Sequence, residues 1–125
     1  MQTRTLEQVL AATSDILFPE ESDKKPVTIA TRGTDGDSAL HVAAWQNDIE
    51  GAQLLIAAGS DINAVGDIAY TPLHVAVSQN NAELAKIFVD AGARSDLVSE
   101  LGRTAREDAL RRGGKLAALF SDANS

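Results

Sequence analysis

With 125 residues, 44% of them hydrophobic and 23% charged, the chain has the composition of one globular domain and too much apolar content for a disordered polymer. It has no Cys, which excludes a disulfide scaffold, a thiolate metal site and a cysteine nucleophile, and only 4% aromatic residues, so its core has to come from Ala, Leu, Val and Ile. The net charge of −7 divides into −9 over residues 1–102 and +2 over residues 103–125, which argues against nucleic acid and for a protein partner with a basic patch.

The first predicted element is a helix over residues 4–18. Leu6, Val9, Leu10, Thr13, Ile16 and Leu17 fall on one face, and Thr5 and Gln8 have capping-box spacing. Pro19 and the charged run that ends at Pro26 break this helix into a solvated linker. Residues 19–33 are expected to hold that linker and the start of a turn-rich finger over 27–37, because Ile29 precedes Ile62 by 33 residues.

The same offset organises the rest of the chain. Leu40-His41-Val42-Ala43 returns as Leu73-His74-Val75-Ala76, and residues 34–66 match 67–99 at eleven of 33 positions. Ordinary residue frequencies would give about two matches. One more step carries Ser38 and Thr71 onto Thr104, where a weaker third copy begins within 100–125. Each copy reads as two short helices and a turn. Ser38, Thr71 and Thr104 are placed to cap the first helix, and Pro72 follows at a position where its missing N–H costs nothing. Leu40, Ala43 and Ala44 then repeat as Leu73, Ala76 and Val77, an apolar stripe at helical spacing. Asn47, Asn80 and Gly113 share the position after that helix, where a left-handed backbone is needed. Gly59 and Gly92 stop the second helices, and residues 60–70 and 93–103 should form hairpin-like fingers.

Tyr70-Thr71-Pro72-Leu73-His74-Val75-Ala76, with Asp90-Ala91-Gly92-Ala93 downstream, resembles the ankyrin repeat, whose signature includes T-P-L-H-x-A at a 33-residue period. The resemblance covers about residues 27–120 and is strongest over 67–99. It fades beyond 100, where Arg106 and Glu107 stand at the Leu and His positions. It implies an all-α solenoid of stacked helix-turn-helix units with hairpin-like fingers: two full repeats, 34–66 and 67–99, between a capping helix and a degenerate capping repeat over 100–125. Two repeats alone would be marginal, so both caps are structural necessities in this reading.

Few residues point to catalysis. His41 and His74 are the only histidines, and helices packed roughly 10 Å apart would hold them too far apart for one metal ion. The resemblance gives them a different task, hydrogen bonding to finger backbone. Asp35-Gly36-Asp37-Ser38 starts like a calcium loop, but Gln46 stands where the twelfth-position Glu should be. No nucleophile elbow, phosphate loop or zinc-protease motif occurs, and no catalytic, cofactor or metal residue is assigned.

What the resemblance does imply is a concave face of finger tips and first-helix ends that binds a partner. By register it selects Thr34, Asp35, Asp37, Trp45 and Gln46, then Asp67, Ile68, Tyr70, Ser78 and Gln79, and finally Glu100, Leu101, Arg103, Arg111 and Arg112. Asp35, Asp37 and Asp67 make one end acidic, whereas Arg103, Arg111 and Arg112 make the other basic, so a partner should present basic groups toward the first two fingers and acidic ones near the last helix pair; Arg106 and Arg112 are alternatively read as solvated capping that keeps a terminal repeat soluble. Trp45 is alternatively read as covering the edge of its helix against the opening cap, and Tyr70 as packing on the neighbouring finger.

Three functions compete: a non-enzymatic protein-binding module, a bacterial immunity protein masking a basic toxin such as a nuclease, and a metal-dependent hydrolase using His41, His74 and Asp35. The first is preferred. No apolar run reaches the roughly 18 residues of a membrane span, and the N-terminus does not read as a signal peptide. A cytoplasmic monomer or weak self-associate is expected.

Overall fold

A computed structural model describes residues 4–17, 27–33 and 36–120; the expected linker over 19–26, together with Thr34 and Asp35, lies outside the described residues. Helix α1 (Leu6–Leu17) is followed by three helix pairs: α2 (Ala39–Trp45) with α3 (Ile49–Ala57), α4 (Pro72–Ser78) with α5 (Ala82–Asp90), and α6 (Ala105–Arg112) with α7 (Gly114–Leu119). Helix α1 packs on α2 and α3, α2 on α4, and α4 on α6, so the first helices of the pairs form one continuous layer. Among the described residues there is no strand, only isolated bridges between Arg32 and Ser38 and between Val98 and Thr104. No described helix is long and apolar enough to cross a membrane.

Local chemistry sets these boundaries at the same points in each unit. The side chains of Ser38, Thr71 and Thr104 accept the N–H three residues on and start α2, α4 and α6. Asn47 and Asn80 then take φ of 56° and 57°, which lets Asp48 N–H reach the Ala43 carbonyl at 2.8 Å and Asn81 N–H reach that of Ala76 at 3.0 Å. These bonds satisfy carbonyls that the helix ends would otherwise leave open. Asp48 and Asn81 cap the next helices in turn, accepting from Gly51 and Leu84 at 3.0 Å. Arg4 grips the first of these junctions, donating to Asp48 at 2.5 Å and to Glu50 at 2.8 Å. That guanidinium holds the Asp48 carboxyl below its ordinary range.

The stack buries small side chains closely. Ala39, Ala44, Ala52, Leu55, Leu73, Ala76, Val77, Leu84, Ala85 and Phe88 are all fully buried. Alanines on the facing layers let the helices approach, and the leucines and Phe88 fill the space between them. Thr5 and Gln8 form the expected reciprocal cap, at 2.8 and 3.2 Å, and Val9, Thr13 and Leu17 are buried. Ile16, expected on the same packed face, is instead 49% exposed.

The fingers close on one bond repeated at the period: Gly33 N–H to Asp37, Gly66 N–H to Tyr70, and Ser99 N–H to Arg103, at 2.8, 2.8 and 2.9 Å. Neighbouring fingers are also tied together. Arg32 donates to the Val65 carbonyl at 2.8 Å, and Arg94 N–H to Asn63 Oδ1 at 2.7 Å. Gly66 has no room for a side chain, since a Cβ there would sit 2.2 Å from Asp37 Oδ1 and 2.9 Å from His41 Nε2.

Candidate protein-binding face

The 33-residue period lines up the finger bases and first-helix ends in columns of equivalent residues. One column at the finger bases holds Asp37, Tyr70 and Arg103. Two more at the ends of the first helices hold Trp45, Ser78 and Arg111, and Gln46, Gln79 and Arg112. Histidine holds the columns in line. The Ser38 N–H donates to His41 Nδ1 at 3.1 Å, so the proton sits on Nε2, which donates to the Tyr70 carbonyl at 2.8 Å. One copy later Thr71 N–H meets His74 Nδ1 at 3.1 Å, and Nε2 lies 3.3 Å from the Arg103 carbonyl. Each ring thus caps its own helix and positions the base of the next finger. Burial pushes the His74 pKa down, against a smaller opposing effect of the Arg103 carbonyl, so the ring is held neutral. Both nitrogens of both rings are thus engaged by protein groups. Among the described residues no three His, Cys, Asp or Glu side chains group around a metal position.

At the first end, a cavity of about 320 Å³ lies between α1 and α2, lined by Ile16, Leu17, Asp37, Val42, Trp45, Gln46 and Asp67. Trp45 is 42% exposed and stacks on Tyr70, ring centroids 6.3 Å apart and planes 16° from parallel. Tyr70 stacks in turn on His74 at 5.1 Å and is only 8% exposed. Trp45 is thereby held in orientation while 42% of its surface stays exposed.

At the other end, a cavity of about 300 Å³ between α4 and α6 is lined by Tyr70, Ser78, Arg103, Asp108, Arg111 and Arg112. Arg103 Nε donates to Asp108 at 2.5 Å, and Arg111 stands 3.8 Å from the same carboxylate. Arg112 donates to the Ser78 carbonyl at 3.3 Å, one copy on from the bond of Gln79 to the Trp45 carbonyl at 2.8 Å.

Several residues assigned to this face by register have other work. Asp37 is 8% exposed and accepts the Asp67 N–H at 2.9 Å, so it supports the second finger from inside, and Tyr70 is a spacer between Trp45 and His74. Ile68 is half-buried against the core and gives its carbonyl to Glu100 N–H at 2.9 Å. Gln79 and Arg112 knit neighbouring copies. The groups left at the surface are Trp45, Gln46, Asp67, Glu100, Leu101, Arg111 and Arg112, with Ser78 and Arg103 half-buried; Thr34 and Asp35 lie outside the described residues. Two contributors escape the register argument. Ile16 belongs to α1, outside the period, and Asp108 has no acidic counterpart in the earlier copies, where Val75 and Val42 occupy its column. Its spacing of three and four residues before Arg111 and Arg112 was the available signal.

No curated protein matches the chain. The family model described as ankyrin repeats in three copies matches residues 40–123, 84 of the 125 residues, over the three helix pairs just described. The chain belongs to the ankyrin-repeat family.

Proposed function

We propose that this chain is a non-catalytic module that binds a partner protein along its inner face, and that a basic patch of the partner docks at the first end. The observation that carries the reading is Trp45. An aromatic ring that is 42% exposed and held by stacking on Tyr70 loses little freedom on binding, and exposed Ile16 stands across the cavity from it. Asp67 is exposed at the rim beside them. A Lys or Arg side chain suits this combination, laying its aliphatic stem on the indole and directing its charge toward the carboxylate.

Affinity capture from native lysate, with mass spectrometry to identify the bound protein, tests the reading. Trp45→Ala is expected to weaken binding of the captured protein about 30-fold or more, the loss usual for a central aromatic anchor. Equal binding by the folded variant would refute it.

A further inference from the structure

We propose that the cavity between α4 and α6 is a carboxylate pocket, which takes Glu or Asp side chains from an acidic segment of the partner. The assignment rests on the inner-face reading above and adds the chemistry of its second end. Ser78 occupies the column position that Trp45 fills one copy earlier, and the small side chain leaves the cavity of about 300 Å³ open. Around that space the three column positions of the last copy are all arginine. Three guanidinium groups against the single carboxylate of Asp108 leave a formal charge of +2, while the chain up to residue 102 carries −9. An acidic segment is therefore repelled from most of the surface and drawn to this end.

The arginines are also organised in advance. Asp108 holds Arg103 through Nε, and the Ser78 carbonyl holds Arg112 through Nη2, and each guanidinium keeps further N–H donors. Arg111, with a side chain 66% exposed, closes the rim. Fixed forks of this kind suit a planar carboxylate, which accepts two parallel N–H bonds from one guanidinium. Asp108 already shows the cluster gripping a carboxylate.

The test uses the whole 15N-labelled protein and two probes: acetylated tetra-glutamate amide and the tetra-lysine analogue. Tetra-glutamate should shift the amides of Ser78, Arg103, Asp108, Arg111 and Arg112 saturably, with an affinity on the order of millimolar, and tetra-lysine should leave them in place. Arg111→Glu should weaken tetra-glutamate at least tenfold, whereas the same charge reversal at exposed Lys115, outside the cavity, should cost less than twofold. The proposal is overturned by shifts that do not saturate or spread over the surface, or by equal losses in the two charge reversals. If tetra-glutamate fails while Trp45→Ala still weakens partner capture, the pocket assignment falls and the inner-face reading stands. If tetra-glutamate binds here and capture ignores Trp45, the opposite holds.

Discussion

The first and third copies share a backbone and differ in almost everything they display. Ser38 and Thr104 cap equivalent helices, Gly33 and Ser99 close equivalent fingers, and yet the same three columns read Asp37, Trp45, Gln46 at one end and Arg103, Arg111, Arg112 at the other. Caps and small core residues fix where the columns stand. The column residues are then free to carry a sign. The copies also differ at the third position of the first helix. His41 and Glu107 both return a bond to the cap N–H, at 3.1 and 3.0 Å. Only the histidine has a second nitrogen, which reaches the next finger. One residue type caps and couples, and the other only caps.

The sharpest way to break that comparison is to remove both. His41→Ala deletes the cap bond and the Nε2 bond and leaves a void in a fully buried site, while the Tyr70 carbonyl keeps only the Gly66 N–H. It should cost about 3 kcal/mol in urea denaturation. Glu107→Ala loses one exposed cap bond and should cost about 1 kcal/mol. Similar losses at the two sites would mean that the coupling bond contributes nothing.

Most of the fold was legible because its determinants are short-range and repeated. Thr71-Pro72, the Asn47/Asn80 pair and Gly59/Gly92 state helix starts and stops through backbone chemistry that needs no distant partner. The site was legible only in position. Register places Tyr70 and Asp37 in one column, but whether a side chain there meets solvent depends on contacts with a neighbouring copy. The Trp45 stack and the Asp67 N–H supply those contacts, and both are long-range. Asp108 was missed for the opposite reason, because its effect on Arg103 is made by a charge that the period does not repeat.

Acid sharpens the comparison next, because the coupling residue titrates. His74 binds a proton less readily folded than unfolded, so the unfolded chain carries more protons as the pH falls through 6.5, and stability falls with it. The contribution of His74 is complete above that value. It is lost toward the lowered folded pKa, with a slope of at most about 1.4 kcal/mol per pH unit for one proton. Urea midpoints at pH 7.5, 6.5 and 5.5 should fall in that order. His74→Asn should flatten this step; an unchanged slope would remove His74 as its source.

The smallest effect concerns the finger tips, where the second copy departs from the third. Gly102 takes φ of 81° at the tip of the third finger, and Leu101 before it keeps an ordinary φ. The second finger has Ala69 at the glycine position, and both Ile68 and Ala69 are left-handed, at 51° and 59°. An alanine tolerates φ near 57° better than φ near 80°, so Ala69 drives the turn into the form with two left-handed residues, at the expense of a β-branched one. Each such residue costs roughly 1 kcal/mol, and a glycine loses about 0.5–1 kcal/mol in chain entropy. Ala69→Gly should therefore let Ile68 return to negative φ and raise stability by about 1 kcal/mol, a gain of a few degrees in Tm. If the bond from Glu100 N–H to the Ile68 carbonyl sets the turn instead, the substitution yields no gain, and the second finger owes its shape to its neighbour, not to its own tip.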